Sequence, residues 1–160
     1  QTLLCAAGGI ADGRGLAAAL MLGADGVLIG SRLIASSESA APQGFQQAIT
    51  AADGDSTIKT TVIDVVRNYE WPGREFSGRA LKNRFVTTWH GREGILAEAK
   101  TNAAENERYW NAFRSGDVDN TGVFIGEASG LIGDVQSAKR ILEDMVKQAE
   151  QLLAEGPRRA

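Results

Sequence analysis

The sequence holds little of what disulfides, metals, nucleic acid or membranes require. Its single cysteine, Cys5, excludes an intramolecular disulfide and makes a reducing, cytoplasmic location the expectation. One cysteine and one histidine, His90, cannot supply a structural zinc site. With 17 basic against 20 acidic side chains the formal charge is -3, and no basic stripe exists to neutralise phosphates, so no nucleic-acid partner is expected. An apolar run such as Gly15 to Gly23 is far too short to span a bilayer, so no membrane segment is expected either. The chain shows no internal repeat, no low-complexity tract and no linker dividing residues 1–160 into two domains. It opens on Gln1 and passes directly into apolar residues without a charged leader, as a protein cut open in a strand would. The expectation is therefore a part of a longer polypeptide.

What is present is an ordinary globular composition, 43% hydrophobic, with 19 glycines. Thr2 to Ala7 is a continuous apolar run ended by Gly8-Gly9, the pattern of a buried strand. Asp12 is placed to cap a helix carrying Leu16, Ala17, Leu20 and Met21, and Gly23 to close it. Gly26 to Ile29 reads as a second buried strand closed by Gly30, and Ser31 opens another helical stretch. Two apolar strands around one amphipathic helix imply a parallel pair with a right-handed crossover. Further on, Phe45 to Ala52 reads as a helix, Ile58 to Ile63 as a half-exposed strand, and Trp71-Pro72-Gly73 as a turn. Gly78 to Trp89 reads as a helix with a basic outer face, Glu98 to Phe113 as a polar helix, and Val123 to Ile125 as a small strand. The clearest helix runs from Ala138 to Leu153, with Gly156-Pro157 as its stop.

A parallel strand-helix-strand unit sets Gly8-Gly9 and Gly30-Ser31 side by side on one edge of the sheet. Glycines let backbone amides approach a ligand closely, and Ser31 adds a hydroxyl at a helix start, a suitable setting for a phosphate group. In eight-stranded α/β barrels the phosphate pocket is commonly built from the loops after the last two strands. The same glycines also serve to end strands and turn corners, and residue chemistry alone leaves both readings open. Gly13, Gly15 and Ala18 match the spacing of a dinucleotide fingerprint, but that motif needs its first glycine immediately after the strand.

Cys5, inside an apolar strand, reads as an inert buried thiol. His90 reads as a partly exposed loop residue with no sequence-adjacent carboxylate to orient it. Trp71, Trp89 and Trp110 read as packing residues of the middle region. Arg79, Lys82 and Arg84 read as a solvated basic face, and Glu127 faces either a ligand or solvent.

The stretch CAAGGIADGRGLAAALMLGADGVLIGSRLIASSES, Cys5 to Ser39, closely resembles the last strand-helix-strand unit of the nitronate monooxygenases, formerly 2-nitropropane dioxygenases. The AAGGIADGRG loop, the LGADGV turn and the following GSR carry the resemblance. It continues more loosely through GRALKNRF (Gly78 to Phe85) and GEASGLIGDVQSAKRILEDMV. It implies an α/β fold: the C-terminal part of an FMN-binding TIM (β/α)8 barrel, its last two barrel strands plus C-terminal helices. It also implies a flavoprotein that oxidises alkyl nitronates with molecular oxygen. By that resemblance, Ala7, Gly8 and Gly9 hold the FMN phosphate from one loop, and Gly30 and Ser31 hold it from the other. The family's catalytic histidine falls upstream of this chain, as do most contacts to the flavin ring. No catalytic residue is therefore assigned here, His90 is not promoted to the role, and the chain alone is not expected to turn over substrate. Its expected partners are the nitronate, oxygen and the missing N-terminal part of the barrel, with homo-oligomerisation left open. The alternatives are an FMN-dependent enoyl-acyl-carrier-protein reductase II, which uses NAD(P)H, and a non-catalytic half-barrel remnant.

Overall fold

The computed structural model describes residues 2–73 and 76–156, so Gln1 and Pro157 lie outside the described residues. The architecture is α/β with two small sheets. Strands β1 (Cys5–Ala7) and β2 (Gly26–Leu28) pair in parallel, Cys5 opposite Gly26 and Ala7 opposite Leu28. Helix α1 (Gly13–Met21) connects them. The Asp12 carboxylate accepts from the amides of Arg14 and Gly15 at 3.0 and 3.1 Å, and Gly23, with φ of 96°, follows the last turn.

The burial expected of these strands is not found. Leu3 is 76% exposed and Leu28 68%, and Cys5 is exposed rather than an enclosed thiol. A two-stranded parallel sheet with its helix on one side leaves the other face open, whereas parallel sheets are ordinarily covered on both.

Helix α8 (Ala138–Glu155) lies against α1 through Ile141, Met145 and Ala149. It starts where Ser137 Oγ accepts from the Arg140 amide at 3.2 Å and Glu38 Oε2 accepts from the Ala138 amide at 2.8 Å. The two helices meet at Gly13. A Cβ there would fall 2.5 Å from the Met145 carbonyl oxygen and 2.6 Å from Gln148 Cβ, so only glycine permits this approach.

Between these ends the chain forms α2 (Ser31–Ile34), α3 (Gln43–Ala51) and a 3-10 turn at Gly54–Ser56 capped by Asp53. It continues through β3 (Thr57–Thr60), α4 (Val62–Val66), β4 (Gly78–Leu81), α5 (Arg84–Trp89), α6 (Glu93–Leu96) and α7 (Ala99–Ser115). A second 3-10 turn occupies Glu127–Leu131. One core gathers Val62, Ile63, Val66, Val86, Leu96 and Tyr109; a second gathers Ala35, Phe45, Ile49, Val123, Ile125 and Ile132.

The expected strand over Ile58 to Ile63 ends at Thr60, whose Oγ1 accepts from the Val62 amide at 3.2 Å and starts α4. The expected helix over Gly78 to Trp89 is a strand followed by a helix. Gly78 to Leu81 pairs antiparallel with β3, and Asn83 stops it: its Oδ1 caps α5 at the Val86 amide, while its Nδ2 donates to the carbonyls of Val118 and Thr121. Val123 to Ile125 makes only a single bridge, Phe124 opposite Ala80. Of the basic trio, Lys82 and Arg84 are exposed as expected, but the three share no helix face and each has a partner. Arg79 pairs with Glu127 at 2.6 Å, Lys82 Nζ donates to the Asp55 carbonyl at 2.7 Å, and Arg84 donates to Asn120 Oδ1 at 2.7 Å. Trp110 packs against the core as expected, whereas Trp71 stacks on Tyr69 and Phe76 at the surface.

Candidate functional site

The turn after β1 and the turn after β2 reach the same hollow because their strands are parallel neighbours. The cavity between them has a volume of about 370 Å3 and is walled by Ala7, Gly8, Gly9, Gly30 and Ser31, together with Arg32, Gly126 and apolar neighbours. All five residues singled out from the sequence therefore line one cavity.

Each loop is shaped for its own reason. Gly8 and Gly9 have φ of 95° and 71°, the left-handed region, so the reversal after β1 needs two glycines for conformation. Gly30, with φ of −103° and ψ of −89°, lies outside the left-handed region, and a Cβ there would meet nothing within 4 Å. Packing within the chain does not demand glycine at position 30.

Ser31 Oγ accepts from the Gly126 amide at 2.8 Å. Among the described residues its hydroxyl proton has no acceptor, and it remains free to donate to an occupant. The amides of Ser31 and Arg32, at the start of α2, have no intrahelical acceptor. Since α2 has only four residues, these individual amides rather than a long helix dipole are what the turn offers. No aspartate or glutamate lines the cavity, so nothing there repels an anion at close range.

Two wall residues escaped the sequence reading. Arg32 is 7% exposed and donates to the carbonyl and Oδ1 of Asp134, both at 2.8 Å, which balances its charge beneath the cavity. The only signal for it was its place in the GSR triplet. Gly126 comes from a segment 95 positions further along, signalled only by a run of glycines. Of the two settings left open for Glu127, solvent is the one found: its side chain is 67% exposed, and it also pairs with Arg79, which donates to Thr57 Oγ1 at 3.1 Å, tying the turn after Gly126 to β4.

The competing glycine pattern is excluded. Gly13 is filled against α8, and its amide already donates to Gln148 Oε1 at 2.7 Å, leaving no room for a pyrophosphate. His90 lies outside the cavity, with its side chain 43% exposed. Its Nδ1 is 3.1 Å from Thr60 Oγ1 and 3.7 Å from Glu93 Oε1, so a carboxylate three residues away does neighbour it. Among the described residues no group of three potential metal ligands occurs, and no helix is long and apolar enough to cross a membrane.

The family model for nitronate monooxygenase matches residues 4–148. The nitronate monooxygenase npaC of Metarhizium robertsii is 35% identical over 94% of this chain and 42% of its own length. A nitronate monooxygenase of Neurospora crassa is 31% identical over 94% of the chain and 39% of its own length. Among solved structures, FabK from Thermotoga maritima superposes on all of the chain and 48% of its own, with a TM-score of 0.79 and 26% identity. The chain thus spans less than half the length of the relatives it matches. On a family match covering most of its residues, this chain belongs to the nitronate monooxygenase family.

Proposed function

We propose that the protein oxidises alkyl nitronates with molecular oxygen using FMN, and that this chain supplies the grip on the flavin phosphate. The observation that carries this reading is the convergence of Gly8-Gly9 and Gly30-Ser31 on one cavity with no carboxylate in its wall. The residues fit a phosphate: the space beyond Gly8, Gly9 and Gly30 is open, and Ser31 has a hydroxyl proton to donate. Bound flavin would supply the electron exchange between nitronate and oxygen. Ala7, Gly8 and Gly9 would hold the phosphate from one side, and Gly30 and Ser31 from the other. The base that takes the substrate proton is assigned to the upstream part of the enzyme, not to any residue here.

On this reading β1, α1 and β2 are the end of a TIM barrel. The exposed Leu3 and Leu4 before β1, Leu28 of β2, and Met21 and Leu22 at the end of α1 support it as surfaces that the rest of the barrel would cover. The test is a fluorescence titration with FMN and, in parallel, with riboflavin. Saturable FMN binding with much weaker riboflavin binding is the expected result; equal affinity for the two would remove the phosphate site. In the full-length enzyme, nitronate-dependent oxygen uptake with little NAD(P)H oxidation is expected. Rapid NAD(P)H oxidation driven by an enoyl thioester would instead support the reductase alternative.

A further inference from the structure

A second cavity, of about 270 Å3, opens between α3, α7 and the segment around Phe124. Its walls are Phe45, Tyr109, Trp110, Phe113 and Phe124, and Arg67 stands among them. The rings are held in place. Phe45 and Phe113 meet edge-on with centroids 5.2 Å apart, and Trp110 meets Phe113 at 5.6 Å. The Phe124 ring fills the space beside Gly78, where a Cβ would lie 2.5 Å from it. An apolar hollow with few polar groups is how small-molecule sites are generally built, at roughly 300–1,000 Å3. This one lies just below that range.

One exposed cation lines it. The Arg67 guanidinium lies 5.5 Å from the centroid of the Trp110 ring, and among the described residues it pairs with no carboxylate. Asp64, one turn earlier, is buried with its Oδ2 lacking any hydrogen-bond partner, so it does not neutralise Arg67 by contact. Burial pushes the Tyr109 phenol up and the Asp64 charge adds to this, against the lowering effect of Thr121, Arg67 and the Gly122 backbone, which keeps its proton on. The cavity therefore offers aromatic walls, a neutral phenol and one unpaired cation.

We propose that this cavity binds a small monocarboxylate with an apolar tail, Arg67 pairing with the carboxylate and the aromatic walls enclosing the tail. A guanidinium matches the two oxygens of a carboxylate in a fork geometry, and one unpaired cation suits one negative charge. The site shares no lining residue with the glycine-loop cavity and stands independently of the flavin reading.

The test is isothermal titration of the full-length protein with hexanoate, using acetate and hexanol to separate head from tail. Saturable hexanoate binding is expected, with acetate and hexanol each weaker by about tenfold or more, the equivalent of at least one good contact. Arg67→Gln, at an exposed position, should weaken hexanoate by about tenfold and leave hexanol unchanged. Ala41→Phe, which fills the cavity, should abolish both. If that variant melts early, Arg67→Gln alone decides. No hexanoate binding by the folded protein, or equal affinity in Arg67→Gln, would overturn the proposal, as would full binding in a stable Ala41→Phe. Flavin content measured on the same samples keeps the two readings apart, since its absence with hexanoate binding intact counts against the FMN assignment alone.

Discussion

The amide of Gly126 donates to Ser31 Oγ at 2.8 Å, joining two segments 95 positions apart at the wall of one cavity. This bond uses the acceptor side of the hydroxyl and leaves its proton for an occupant. Ser31→Ala should therefore do two separable things. It leaves the Gly126 amide unpaired, costing about 1 kcal/mol in a denaturant melt. On the flavin reading it also weakens FMN by about tenfold while leaving riboflavin unchanged. A variant that loses stability but keeps its preference for FMN would show that the serine only braces the turn.

Gly30→Asp places a side chain and a negative charge in the open space beyond that residue. Loss of FMN retention with an unaltered circular dichroism spectrum is expected in the full-length protein. Unchanged flavin content would sink the phosphate assignment.

Gly13→Ala gives the opposite outcome. The new methyl would meet α8 backbone at 2.5 and 2.8 Å, so the helices must move apart. A loss of about 1–3 kcal/mol is expected from urea unfolding. Gly30→Ala, measured beside it, should be close to neutral. Equal losses in the two variants would mean that the α1–α8 approach is not as close as described.

Asn83 is bound on both sides of its amide group, accepting at Oδ1 and donating twice at Nδ2. Asn83→Asp turns the donors into acceptors facing the carbonyls of Val118 and Thr121. It should destabilise the fold more than Asn83→Ala, which removes the cap for about 0.5–2 kcal/mol. Thermal melts of the pair provide the check.

Glu38 lies below its ordinary 4.5, chiefly because it accepts from the Ala138 amide, with the Ser37 hydroxyl adding to the effect. A depressed carboxylate contributes stability that is present above the unfolded value and lost as pH falls through the folded one. Glu38→Gln should flatten the stability profile below about pH 5, the upper edge of ordinary carboxylate titration, and leave its shape near neutrality alone. Identical acid limbs in variant and parent would show that Asp53 and Asp117, also lowered by hydrogen bonds, carry the acid sensitivity.

The strand-helix-strand unit was legible because its signals are local. Asp12 caps, Gly23 terminates, and the apolar runs lie directly beside them. Gly8-Gly9 and Gly30-Ser31 could be brought together on paper because parallel pairing fixes where strand ends lie. What failed depended on distant partners. Gly78 to Leu81 carries no strand signal stronger than its helix signal, and it is β3 that settles the choice. The helix start at Val62 was hidden inside an alternating pattern that runs on past Thr60. Arg32 was unreadable as a wall residue because Asp134, which holds it, lies 102 positions away. Cys5 is exposed for a different reason: an apolar strand is buried only where something covers both of its faces.

The bond from the Gly13 amide to Gln148 Oε1 closes a loop of 135 positions. Residues as far as Gln148 must be in place before the start of α1 acquires this anchor. Contacts of such long range form late and slow the approach to the native state. A chain that stops before α8 should therefore leave α1 without the helix it packs against.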